Sequence, residues 1–445
     1  MSVKTRFAPS PTGLLHIGNI RTAIIVWLFA RKNNGKFMLR IDDTDYERSK
    51  DEYTEQLKKD LIWLGLNWDE SAHQRDRSER YNEQIKKLKD AGRLYPCYET
   101  PEELSLKRKS LLSRGLPPTY DRAALELTED QIKKYEAEGR SPHWRFKLDH
   151  KPIEWNDLVR GPVSFHGKDM SDPVLIREDG TPLYHICSVI DDMDFGITHI
   201  VRGEDHVSNT ACHLQMFEAL GAELPQCAHT SMIAGADGEK LSKRLGSLSM
   251  KHLREESGIE PMAIISLLSK IGTSDPVEAT TDIKKAIEDF DFSKFSRNMP
   301  KFDDNDLWRL NSKIVQQKSF ADVKKRLDEL ELWDVDEAFW NAVRPNLTKL
   351  DDIKDWWYVA NGPVKPVIED KDYAELLANT LPEGTLDENS WNLWITEVKA
   401  KSDRKGKQLF MPIRLALTGM EHGPELADML PLIGRERILE RLKAA

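Results

Sequence analysis

The 445 residues carry 65 lysines and arginines against 75 aspartates and glutamates, a formal net charge of −10, with 39% hydrophobic and 31% charged side chains. That length allows roughly three domains with ample core, and the acidity excludes a nonspecific basic coat for nucleic acid while leaving room for local basic clusters that grip RNA. The longest apolar run, the eight residues Ala23 to Ala30, is far short of the roughly 20 needed to span a bilayer, and the Met-Ser-Val-Lys start has no apolar signal core. No membrane association and a cytoplasmic location are therefore expected. Cys97, Cys187, Cys212 and Cys227 are widely spaced with no Cys-x-x-Cys pair, the pattern of free, buried thiols in a reducing compartment.

Residues 3 to 30 open the chain with a short strand, a break dense in turn formers (Pro9, Ser10, Pro11, Thr12, Gly13) and a helix from Ile17 marked by Ile20, Ile24, Trp27 and Leu28. A strand-loop-helix unit aims backbone N–H groups and the positive end of a helix dipole at the loop, which favours a phosphate. His16 and Gly18 sit at that point: the imidazole can donate to a phosphate, and glycine lets a ligand approach the backbone. The structural alternative is that His16 caps the helix and Gly18 packs against a neighbouring strand.

A second stretch, Asp237 to Gly246, is a polar loop carrying the cations Lys240, Lys243 and Arg244. Alone it reads as a solvated charge run. Together, His16-Ile17-Gly18-Asn19 and Lys240-Leu241-Ser242-Lys243-Arg244 resemble the two signatures of class I aminoacyl-tRNA synthetases, in order and separation. The surrounding Arg6-Phe7-Ala8-Pro9-Ser10-Pro11-Thr12-Gly13 and Arg40-Ile41-Asp42-Asp43-Thr44-Asp45 are similar to the glutamyl branch of that family. The resemblance implies an ATP site at His16, Gly18, Asn19, Lys240, Ser242, Lys243 and Arg244, with His16, Gly18, Lys240 and Lys243 in the catalytic role. Mg²⁺ accompanies the ATP. It further implies glutamate held by Arg6, Ser10, Asp42, Tyr184, Ser188 and Arg202: Arg6, Tyr184 and Arg202 on the γ-carboxylate, Asp42 toward the α-amino group where the family usually has Glu, and Ser188 where it often has Asn. A structural salt bridge from the arginines to Asp191, Asp192 or Glu204 is the competing expectation.

Taken in order, Phe37 to Ile41 reads as a strand ending in Asp42, Asp43 and Asp45, and residues 51 to 66 and 79 to 92 as amphipathic helices. From Arg93 to about Leu183 the pattern changes to short strands (Trp144 to Leu148, Val159 to Phe165, Val174 to Arg177) with a polar helix around Pro101 to Gly115. By resemblance this is the inserted domain that receives the tRNA acceptor end. Some relatives hold zinc there with several cysteines; with only Cys97 present, no structural zinc is expected. Thr198 to Arg202 reads as a strand delivering Arg202, Asn209 to Leu220 as a helix, and successive helical segments run from Phe320 to Lys443.

The expected fold is α/β: a Rossmann-type nucleotide-binding domain (1–78 and 184–235) with an inserted α+β acceptor-binding domain (79–183), a connecting domain (236–311) bearing the basic loop, and an all-helical anticodon-binding domain (312–445). The resemblance implies a glutamate-tRNA ligase using L-glutamate, ATP and tRNA(Glu); with no heptad or large apolar stripe in the sequence, a monomer is expected. Between Val367 and Val398 the only Lys or Arg is Lys371; relatives that reject tRNA(Gln) use an arginine in that region, so charging of tRNA(Gln) as well is a hypothesis of this reading. The helical end argues against a truncated base-modifying paralogue and a smaller nucleotidyltransferase. Intact His16, Gly18, Lys240 and Lys243 argue against a noncatalytic RNA-binding scaffold.

Overall fold

Strand β1 (Lys4–Phe7) buries Thr5, Arg6 and Phe7, and the parallel β2 (Lys36–Ile41) buries every residue after Lys36. Such near-continuous burial is what a parallel strand covered on both faces requires. The parallel β3 (Glu70–His73) completes one set. On the other side of β1, Lys4 and Thr198 exchange hydrogen bonds of 2.8 and 3.0 Å, which brings β9 (His199–Gly203) and its parallel partner β10 (Gln226–Thr230) alongside. The computed structural model describes residues 2–235, 238 and 248–444, in two compact units: 1–257 with 264–304, and 258–263 with 305–445.

Helix α1 (Ile17–Lys32) packs on β1, β2 and β9. Its sequence suggests an amphipathic helix, but Ala23 to Leu28 are buried without a break, the mark of a helix enclosed on nearly all sides. Helices α2 (Asp51–Trp63) and α3 (Ser78–Asp90) follow the expected periodicity.

The inserted segment contains a three-stranded antiparallel sheet, β4 (Leu94–Cys97), β5 (His143–Phe146) and β8 (Val174–Ile176), with β5 central. A hairpin, β6 (Pro152–Asp157) with β7 (Gly161–His166), packs on Gln226–Thr230 and on the helix Val207–Leu220. Helix α4 (Pro101–Ser113) starts with a reciprocal capping box between Thr100 and Glu103 and a proline in its first turn. Helix α5 (Glu129–Ala137) buries no side chain. Neither β6 nor α5 is anticipated from the sequence: α5 has no apolar stripe, and Pro152 opens β6 at the first position, where a missing N–H is tolerated.

Helix α6 (Tyr184–Asp194) and helix α7 (Val207–Leu220) flank β9 in the chain. Residues 264–304, expected in a connecting domain, belong to the first unit, where Phe290 and Phe292 pack on Phe29 of α1. The second unit is helical from Asp304–Gln317 to Arg435–Lys443 around the fully buried Trp340 and Trp394. Both indole N–H groups are satisfied, by the carbonyls of Lys318 and Leu377, each at 3.1 Å, as burial demands. Among the described residues no helix is long and apolar enough to cross a membrane.

Candidate active site

The carboxyl ends of β1, β2 and β9 and the start of α1 enclose a cavity of about 690 Å³ lined by Arg6, Ser10, His16, Gly18, Asn19, Arg40, Asp42, Tyr184 and Arg202, among others. This is where an open α/β sheet delivers side chains to a ligand.

His16 is the N-cap of α1. Its Nδ1 accepts the Gly18 N–H at 3.1 Å, and Asn19 Oδ1 accepts the His16 N–H at 3.4 Å. Burial lowers the imidazole pKa, so the ring is neutral, and with Nδ1 accepting, the ring proton sits on Nε2. Capping thus leaves the Nε2–H free of the cap, on a residue that lines the cavity. A Cβ on Gly18 would lie 3.0 Å from His16 Cε1 and 3.2 Å from Nδ1. A larger residue there would push the imidazole aside by a few tenths of an ångström; the neighbour is not a strand.

Arg202, 6% exposed, is the penultimate residue of β9. Its Nη1 donates to Tyr184 Oη at 3.0 Å and its Nη2 to Thr210 Oγ1 at 2.6 Å, and among the described residues no carboxylate lies within ion-pair distance. A buried guanidinium without an anion is costly, and this one lines the cavity.

Arg6 differs. Its Nε and Nη2 donate to Asp192 at 2.9 and 3.2 Å, so the alternative of a structural pair with Asp192 describes its contacts, although it too lines the cavity. Arg40, 1% exposed, donates to the same Asp192 Oδ1 at 2.7 Å and forks onto Asp42 at 2.7 and 3.1 Å. Burial drives the Asp42 pKa up to about 6 against the pull of Arg40. Ser188 is fully buried, outside the cavity wall, with Oγ 3.3 Å from Arg40 Nη2. Ser10 is exposed on the rim. Lys240, Ser242, Lys243 and Arg244 lie outside the described residues.

Sequence reading missed Arg40, Thr210 and His229. The signal for Arg40 was present: an arginine inside the run Lys36-Phe-Met-Leu-Arg-Ile has to be buried, and then has to find carboxylates. Its partner Asp192 lies 152 residues on.

In the inserted segment Cys97, Glu99 and His143 bring three donor atoms within 4.8 Å of one another, so the spacing argument undercounted the donors near Cys97. The fit to zinc is nevertheless poor. Tetrahedral structural zinc takes four ligands, and Tyr120 Oη already occupies the cluster, donating to Glu99 at 2.8 Å and 3.7 Å from Cys97 Sγ. Burial, and after it the positive charge of Arg145, lower the His143 pKa to about 4, and the same Arg145 charge would disfavour a dication.

The family model described as "tRNA synthetases class I (E and Q), catalytic domain" matches residues 2–309, and "Anticodon binding domain" matches 341–445. Fold and cavity together are those of a class I aminoacyl-tRNA synthetase. The chain is 53% identical over 439 residues to "Glutamate--tRNA ligase 1" of Maricaulis maris, covering 99% of this chain and 98% of the relative. It is 53% identical over 442 residues to "Glutamate--tRNA ligase" of Azospirillum brasilense, covering 99% of each. A crystal structure of a glutamate tRNA ligase from Elizabethkingia meningosepticum in complex with its amino acid superposes with a TM-score of 0.86 at 28% identity, over 100% of this chain and 99% of that one. The chain belongs to the glutamate-tRNA ligase family.

Proposed function

We propose that the cavity at the ends of β1, β2 and β9 is where L-glutamate and ATP, the latter as its Mg²⁺ complex, form glutamyl-adenylate, and that the 3′-terminal adenosine of tRNA then takes the glutamyl group. The observation that carries this reading is Arg202: a buried guanidinium that bonds two hydroxyls, has no carboxylate within ion-pair distance among the described residues, and lines the cavity.

In the first step the α-carboxylate attacks the α-phosphate in line and pyrophosphate leaves. Negative charge grows on the leaving group, so catalysis is positioning plus charge stabilisation. His16 Nε2–H and Asn19 meet the phosphates, Gly18 seats the imidazole, and Lys240, Ser242, Lys243 and Arg244 neutralise the departing charge. Arg202, Tyr184 and Arg6 hold the γ-carboxylate; Ser10 and Asp42 face the α-amino end, and Ser188 supports the site from behind Arg40. ATP-pyrophosphate exchange supported by glutamate tests the first step. Its absence in the folded protein, with and without tRNA(Glu), would overturn the reading.

Asp42 makes glutamate binding pH-dependent. Its pKa in the folded protein, about 6, lies above the usual carboxylate range, so its charge is present above that pH and lost as pH falls through it. KM for glutamate is expected to rise below about pH 6, and Asp42→Asn to raise KM at neutral pH and flatten that dependence. A wild-type KM that is constant from pH 5 to 8 would contradict the role.

The chain is proposed to act in the cytoplasm as a monomer without structural zinc. Metal analysis of purified protein is expected to find far less than one zinc per chain; a stoichiometric ion would overturn this. Charging of tRNA(Gln) in addition to tRNA(Glu) is supported by the scarcity of cations between Val367 and Val398. The fold does bring arginines to this segment from outside it: Arg404 bonds Asp370 and lies 3.9 Å from the centre of the Tyr373 ring, and Arg435 Nε donates to the Pro382 carbonyl at 2.9 Å.

A further inference from the structure

Arg202 is held by a chain of groups that begins in the inserted segment. Asp157 closes strand β6, and its Oδ1 accepts the backbone N–H groups of Val159, Arg160 and His229 at 3.0, 3.0 and 3.1 Å. Its Oδ2 lies 2.5 Å from His229 Nδ1. A carboxylate can only accept, so His229 carries its proton on Nδ1 and presents a lone pair at Nε2. Thr210 Oγ1 lies 2.8 Å from that lone pair. The threonine hydrogen therefore points to His229, and the oxygen lone pairs are left for Arg202 Nη2, which donates at 2.6 Å. The other acceptor open to that hydrogen, the carbonyl of His206, is farther, at 3.3 Å.

The direction of every bond in this chain is fixed by the one before it. Asp157, His229, Thr210 and Arg202 are all at most 6% exposed, so water does not compete. Burial and the nearby Arg202 keep His229 neutral despite Asp157; a second ring proton would set an N–H against the Arg202 Nε–H, 3.5 Å away.

We propose that Asp157, His229 and Thr210 form a positioning relay that fixes the guanidinium of Arg202, and thereby sets the affinity for a γ-carboxylate and its selection over a γ-amide. A guanidinium has five N–H donors. Three are directed at Thr210, Tyr184 and His229, leaving one on each terminal nitrogen. Two parallel donors match the two oxygens of a carboxylate. The amide of glutamine would set its own N–H against one of them. The proposal rests on Arg202 holding the glutamate side chain.

The test is steady-state charging by the full chain, with KM measured separately for glutamate, ATP and tRNA, and with glutamine as competitor. Thr210→Val keeps shape and removes the hydroxyl. It is expected to raise KM for glutamate roughly 10- to 10²-fold with kcat changed less than about threefold and KM for ATP unchanged, the signature of lost ground-state binding. Thr210→Ser restores the hydroxyl and is expected to stay within about threefold of the wild type in KM, the recovery that returning that one bond allows. Asp157→Asn, which no longer dictates the imidazole tautomer, is expected to raise KM for glutamate and weaken rejection of glutamine. Thr210→Val and Asp157→Asn proteins that fold and keep the wild-type KM for glutamate would overturn the relay, as would equal losses for glutamate and ATP. Arg202→Ala separates the layers. A raised KM for glutamate in Arg202→Ala but not in Thr210→Val sinks the relay alone; an unchanged KM in Arg202→Ala sinks the reading of the site with it.

Discussion

Asp192→Asn is expected to lower the stability of the first unit by about 3–5 kcal/mol, the range for removing one partner of a buried ion pair. Asp192 is 1% exposed and accepts from both Arg6 and Arg40, at 2.9 and 2.7 Å. The amide keeps the shape but removes the charge, leaving two buried guanidinium groups with less than their share of anion. The pH dependence gives a second signature. Burial pushes the Asp192 pKa up, but Arg6 and Arg40 outweigh it and hold the carboxyl below its usual range. Its contribution is therefore complete above the ordinary carboxylate pKa and is lost as pH falls through the lower folded value. Urea unfolding between pH 3 and 7 is expected to show the wild type losing this stability at the acid end while the variant profile is flatter there. Equal unfolding midpoints for the two proteins at pH 7 would show that Arg6 and Arg40 are satisfied without Asp192.

Lys243→Ala is expected to slow adenylate formation roughly 10²- to 10³-fold, the effect of removing one preorganised charge from a developing anion. The melting temperature should hardly move, because the proposed task of Lys243 is on the leaving group and not in the core. Single-turnover formation of glutamyl-adenylate is the appropriate readout, since it excludes product release. Retained activity would remove the basic loop from the chemistry. The two variants thus separate the site's framework from its catalysis: one loses stability first, the other rate.

How much of this was legible in sequence depended on how far apart the partners lie. The strand-loop-helix opening needs only local signals, turn formers followed by helical spacing, and β1 and α1 stand where those signals put them. Arg202 at the end of a strand was legible for the same reason. The relay behind it was not, because Asp157, Thr210 and His229 come from β6, α7 and β10 and meet only when the fold closes. His16 shows a subtler limit. Capping and phosphate binding looked like rival readings, yet one imidazole has two nitrogens, and Nδ1 can cap while Nε2–H stays available to a ligand. Arg40 was hidden by its setting: among apolar neighbours it looked like a strand residue, and its partner Asp192 is on α6.

The central claim is that this cavity joins glutamate to tRNA. Charging of radiolabelled glutamate by the wild-type protein, with ATP and Mg²⁺, onto separately purified tRNA(Glu) and tRNA(Gln) tests it most directly. The account predicts glutamate on tRNA(Glu), and on tRNA(Gln) as well if the acidic segment from Val367 to Val398 means relaxed discrimination; label on tRNA(Glu) alone would remove that part. Glutamate on neither tRNA, with the protein folded, would contradict the account.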